Sequence, residues 1–157
     1  MASNSEQIEV RLQVLEDRKA IKQLRHEFSR YVDGRDWEAL LALFTDDAKI
    51  EFPEDDRDSI QGTEELREWC SDIEAGYEFT AHMYHNPVIN AGGDRAEGFW
   101  YFETPMVPTD GAGMWAQGTY DETYIRREDG WKIETTAIRY NYLVEYQEAW
   151  EKAVTEE

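Results

Sequence analysis

The chain is predicted to be α+β: a curved antiparallel sheet wrapped around N-terminal helices, a cone-shaped barrel with one internal pocket. Apolar residues recur at helical spacing in the first half of the chain. The second half carries long β-rich runs joined by glycine-containing turns, and the two halves do not alternate. A sheet of that length must cover its apolar face. A bent sheet closed on helices leaves a cavity at its open end, a common place for a ligand.

The first helix is expected from about Ser5 to Val32. Val14, Ile21, Leu24, Phe28 and Tyr31 form one stripe along it, and Gly34 is expected to end it in the left-handed conformation. Asp36 is a good N-cap for a second helix carrying Leu40, Leu41, Leu43 and Phe44. Thr63, Glu64 and Glu65 open a third, through Leu66, Trp69 and Ile73. Strands are expected from residue 79: Phe79 to Ile89, a hairpin loop over Asn90 to Asp94, then Ala96 to Glu103. Pro105 to Gly113 reads as a longer connection. Met114 to Arg127 and Trp131 to Tyr140 are strands joined at Glu128-Asp129-Gly130, and Glu145 to Thr155 reads as a last helix.

The 157 residues suit a single domain spanning the whole chain, and 41% hydrophobic residues suffice for a core. No apolar run is long enough to span a membrane. The polar start, Met1 to Gln7, does not read as a secretory signal, and a cytoplasmic home is expected. One cysteine, Cys70, excludes an internal disulfide and suggests no metal cluster. The formal charge is −19, from 35 Asp plus Glu against 16 Lys plus Arg. Such a surface repels phosphate backbones, which argues against nucleic-acid binding. Many acids with few lysines read as adaptation to a salty interior.

Three histidines can carry proton chemistry: His26, His82 and His85. His26, beside Arg25 and Glu27, reads as a solvated helical residue. His82 and His85 lie in a strand-like stretch, where an offset of three sends them to opposite faces. His82 is a candidate general acid or base. Asp33 ends the first helix, where the dipole disfavours an anion, so either a cation from elsewhere compensates it or it is a simple turn residue. Asp36 reads as the N-cap alone. Trp131, Ile133, Thr135, Ala137 and Arg139 alternate onto one face, expected to point inward, so Arg139 either meets an anion there or reaches solvent at the rim. Tyr31, Phe52, Trp100, Trp115 and Tyr120 are candidate pocket aromatics or plain core.

The run Tyr31-Val32-Asp33-Gly34-Arg35-Asp36-Trp37 after a long helix resembles the SnoaL-like branch of the nuclear-transport-factor-2-like superfamily. So do His82-Met83-Tyr84-His85-Asn86-Pro87, followed by Gly98-Phe99-Trp100-Tyr101, and Gly118-Thr119-Tyr120-Asp121 leading to Asp129-Gly130-Trp131-Lys132-Ile133. Within that branch the residues are similar to bile-acid 7α-dehydratases and, more distantly, to scytalone dehydratases. The resemblance implies an Asp33–His82 acid–base pair, with Arg139 shaping the site and no metal or cofactor. It also places Phe28, Phe52 and Thr104 where those enzymes carry polar groups, and a second scytalone-dehydratase histidine near Gly118.

Three functions follow as expectations. The first is a cofactor-free dehydratase or isomerase of a small hydroxylated cyclic, polyketide- or steroid-like substrate. The second is a non-catalytic small-molecule binder, and the third an interaction module. A homo-oligomer, dimer or trimer, is expected in each case.

The charge of −19 generates one prediction. Self-repulsion is screened over about 3 Å in 1 M salt. The melting temperature is expected to rise from dilute buffer to about 1 M KCl, read by circular dichroism. A flat or falling value would remove the salt-adaptation reading.

Overall fold

In a computed structural model the chain is described over residues 3–145. Helix α1 runs Asn4–Asp33, α2 Trp37–Leu41 and α3 Gly62–Gly76. Among the described residues seven strands follow in order, β1 Phe44–Glu51, β2 Ile60–Gln61, β3 Tyr77–Thr80, β4 Met83–Gly92, β5 Arg95–Pro108, β6 Met114–Arg127 and β7 Gly130–Glu145. They form one sheet in the order β2-β1-β7-β6-β5-β3, with β4 also paired to β5. All pairings are antiparallel except β1 with β7. The sheet curls into a half-barrel over the helices, the α+β architecture expected. No described helix is long and apolar enough to cross a membrane.

Helix α1 starts on a capping box: the Ser3 hydroxyl accepts from Glu6 N–H while the Glu6 carboxylate accepts from Ser3 N–H. Its buried face is Asp17, Ile21, Leu24, Arg25, Phe28 and Val32. Two of those six are charged, and both are held by the sheet. Asp17 accepts from Arg126 at 2.7 Å and from the Trp131 indole at 3.3 Å, which clasps the helix to the β6–β7 turn. Burial disfavours the Asp17 anion, but the hydrogen bonds from Arg126, Gln13 and Trp131 outweigh it and leave its pKa below the ordinary value.

The helix stop differs from expectation. Gly34 is right-handed, at φ −83°, and Arg35 takes the left-handed conformation, at φ 59°. The strain at Arg35 is held by its guanidinium, which donates to Tyr77 O at 3.0 Å and ties the helix end to β3. Helix α2 is capped by Asp36, whose carboxylate accepts from Ala39 N–H. It is only five residues long, so Phe44 belongs to β1 and not to a helix. That strand, Phe-Thr-Asp-Asp-Ala-Lys-Ile-Glu, is too charged for its local pattern to announce a strand. Parallel pairing to β7 selects it, and Phe44, Ala48 and Ile50 are buried.

Strand β5 continues through Pro105 to Pro108, shortening the expected connection. His82 lies in the link between β3 and β4 rather than within a strand. The expected last helix lies outside the described residues apart from Glu145, which ends β7.

Two irregularities in the β6–β7 pairing set which side chains enter the barrel. Thr123 faces Thr135 while Tyr124 faces Ile133, so Glu134 is an extra residue in β7. A second extra residue is Asn141, between the Gln117–Tyr142 and Gly118–Tyr140 pairs. Inward parity therefore changes from Trp131 and Ile133 to Thr136 and Ile138. This corrects the sequence reading of Thr135, Ala137 and Arg139, which the bulge at Glu134 turns to the outer face.

At Gly118 the two strands approach closely. A Cβ there would sit 2.0 Å from the Arg139 carbonyl oxygen and 2.8 Å from the Phe102 ring. A histidine at this position is thus sterically excluded. Gly118→Ala is expected to lose about 3 kcal/mol of stability, since backbone cannot yield as a side chain can. Urea denaturation measures this, and an unchanged midpoint would contradict the close approach.

Candidate active site

Asp33 is the last residue of α1, and His82 stands on the β3–β4 link beside it. The Asp33 Oδ1 lies 2.7 Å from His82 Nδ1. Oδ1 also accepts from the Thr80 hydroxyl at 3.0 Å, and Oδ2 accepts from His82 N–H at 2.9 Å. The helix dipole costs an anion at this end about 0.3–1 kcal/mol. Hydrogen bonds to a charged group contribute about 1.5–3 kcal/mol each, so the three contacts decide the balance. Thr80, 6% exposed, also accepts from Arg35 at 3.5 Å, so the strained residue after the helix braces the same carboxylate.

With Nδ1 held by a carboxylate, the neutral imidazole carries its proton there and leaves the Nε2 lone pair free. Nε2 has no hydrogen-bond partner among the described residues. The imidazole side chain is 13% exposed and the carboxylate 27%, sheltered yet reachable. The Phe28 ring meets the imidazole edge-to-face at 6.2 Å.

The other expected residues divide by face. Phe28, Trp100, Thr104 and Tyr120 are buried on the inner side. Tyr31 and Phe52 are half-buried against the core, and Phe52 is stacked under the Arg57 guanidinium at 4.2 Å. A chain of ring contacts runs inward from Tyr140 through Phe102, Tyr120 and Tyr84 to Phe28 and His82. Arg139 and Trp115 do not join it. Arg139 pairs with Asp121 and approaches Glu54 at 3.8 Å, because the Glu134 bulge turned it outward. Trp115 alternates with buried Ala116 and packs edge-to-face on Tyr142 of the outer face. His26 is exposed, and His85 lies 3.6 Å from Glu103, away from the dyad. Among the described residues no three His, Cys, Asp or Glu are grouped to hold a metal ion. A groove of about 370 Å³ crosses the opposite side of the sheet, lined by Val88, Phe99, Asp121, Thr123 and Ala137, and shares nothing with the dyad.

The sequence reading did not single out Arg25 and Glu122. Arg25 donates to Glu122 at 2.7 Å, and both side chains are shut off from water. Glu122 also accepts from Thr136 at 2.7 Å and from the Tyr124 hydroxyl, which in turn accepts from the Trp100 indole at 2.9 Å. A signal was present: Arg25 falls within the stripe Ile21, Leu24, Phe28, Val32, and Glu122 alternates with Tyr120 and Tyr124.

Residues 13–137 match the SnoaL-like domain family. The chain belongs to that family. An uncharacterized protein of Mycobacterium tuberculosis is 29% identical over 129 residues, covering 76% of this chain and 82% of its own. A structure provisionally named scytalone dehydratase, from Novosphingobium aromaticivorans, superimposes with a TM-score of 0.77 at 20% identity, covering 84% of this chain and 89% of that one. The type 3 hexachlorocyclohexane dehydrochlorinase LinA of Novosphingobium barchaimii gives 0.76 at 20% identity, covering 86% and 93%. At these identities the likeness is one of fold.

The three contacts to Asp33 predict the effect of Thr80. Thr80→Val keeps the shape and removes the hydroxyl that donates to Asp33 and accepts from Arg35, and is expected to cost about 1–2 kcal/mol in urea denaturation, while Thr80→Ser costs less than half of that. Equal stability of all three proteins would show that the hydroxyl does not hold Asp33.

Proposed function

We propose that this SnoaL-like protein is a cofactor-free dehydratase or isomerase of a small hydroxylated cyclic substrate, working through Asp33 and His82. The observation that carries the reading is the 2.7 Å contact between Asp33 Oδ1 and His82 Nδ1, with Nε2 left unpartnered among the described residues. The two solved structures of similar fold are named for eliminations, which supports the same class of chemistry.

In the dehydration, Nε2 takes a proton from carbon beside a carbonyl, and the C–H electron pair passes into an enolate. The enolate then re-forms the carbonyl and expels the β-hydroxyl, which leaves as water with the proton returned by the imidazolium. In the isomerisation the same proton returns to a different carbon. Asp33 fixes the tautomer and stabilises the imidazolium. The aromatic interior, from Tyr140 to Phe28, suits a ring system. Exposed Val88, Tyr101, Tyr142 and Leu143 support assembly as a dimer or trimer.

A screen of cyclic β-hydroxy ketones, read by the absorbance of the conjugated enone, tests the reading. Asp33→Asn and His82→Ala are each expected to lower kcat by about 10²–10⁴-fold while ligand binding persists. Turnover that survives both changes would overturn the dyad. Binding with no turnover in the unaltered protein would make it the non-catalytic binder that apolar Phe28 and Phe52 favour.

A further inference from the structure

Arg25 is an unusual residue to find inside the barrel. It is 1% exposed, and its guanidinium carbon lies 4.2 Å from the Phe28 ring centre, 4.4 Å from Tyr84 and 4.6 Å from Tyr120. Burial disfavours the charge, but the Glu122 carboxylate outweighs this and the pKa lies above the ordinary arginine value. The cation is therefore permanent.

Its hydrogen bonding is incomplete. A guanidinium has five N–H donors. Glu122 engages Nη2, while Nε and Nη1 are buried without a hydrogen-bond partner. The Glu122 carboxylate is shared with Thr136 and Tyr124, which also donate to it, and of the guanidinium nitrogens only Nη2 reaches it. A buried ion pair roughly breaks even against apolar residues of the same volume. Each orphaned donor adds the cost of lost hydration with no hydrogen bond in return. As a tie between α1 and β6 the pair fixes the helix, and the three rings favour the cation, yet two of its nitrogens are left with no acceptor. The arrangement makes sense when an oxygen acceptor occupies the free donors.

The position suits such an acceptor. The Phe28 ring contacts both the guanidinium and the His82 imidazole, so the two lie no more than about 10 Å apart. A fused ring system spans that distance. Since Glu122 already neutralises Arg25, a neutral carbonyl fits better than a carboxylate, and the oxygen gains negative charge only as the α-proton leaves.

We propose that Arg25 is the carbonyl anchor of the interior, its Nε and Nη1 holding the ketone oxygen of a cyclic substrate whose α-carbon is presented to His82. This rests on the dyad reading for the second half of the statement, while the anchor is tested by binding alone. The probes are 2-acetylnaphthalene and 2-isopropenylnaphthalene, alike in shape, with C=O replaced by C=CH2. Titration of the full chain by tryptophan fluorescence is expected to show the ketone bound at least about 10-fold more tightly.

Arg25→Met combined with Glu122→Leu removes both charges together, leaves no unpaired ion and is expected to bind the two probes equally. In the unaltered protein, the ketone and not the hydrocarbon is expected to shift the Arg25 Nε–H resonance. A preference below about 2-fold, no ketone binding, a preference retained in the double variant, or an unmoved Nε–H with ketone bound would each overturn the anchor. Asp33→Asn leaves the preference intact, so loss of turnover with retained preference separates failure of the dyad from failure of the anchor.

Discussion

The structure depends on how α1 is laid across the inner face of the sheet. Apolar packing alone would let a helix slide along its axis. Two buried charges on that helix prevent it. Asp17 is held by Arg126 and Trp131 at the β6–β7 turn, and Arg25 is held by Glu122 in mid-strand. Eight residues separate the two, about 12 Å along the axis, so they set both register and rotation. With the helix fixed at two points, its last residue, Asp33, arrives beside the β3–β4 link.

That arrival explains how an aspartate persists at the wrong end of a helix. The dipole term is small, and Thr80, the His82 backbone and the His82 ring all face the carboxylate. Local order around the site is likewise shared. The left-handed Arg35 bridges to Tyr77 and Thr80, so strain just past the helix is offset by contacts that brace the dyad.

Strand parity is the second constraint. Reading β7 as an unbroken alternation puts Arg139 inside. The extra residue at Glu134 reverses that assignment, and Arg139 meets Asp121 on the outer face. The interior cation comes instead from α1. Arg25 was visible in the sequence as a charge within an apolar stripe, yet nothing local to residue 25 indicates that a glutamate at position 122 will face it. Trp115 failed as a pocket residue for a similar reason, because alternation from Ala116 and Tyr120 places it outside. The α1 and α3 helices, the long strands β5 and β6 and the turn at Glu128-Asp129 were legible because each rests on short-range periodicity or turn chemistry.

By itself, the sequence determined the order of helices and strands, the fold class and the chemical types available for proton transfer. Those follow from spacing of 3.6 or 2 residues, from caps and from the scarcity of histidine. Only the tertiary structure decided that the charged run at β1 is a strand and which face each β7 residue takes. It also decided which of the 35 acids meets which of the 16 strong bases. Such outcomes are set by pairing partners tens of residues away and by single-residue bulges, and a one-residue shift inverts a whole face without altering the local pattern.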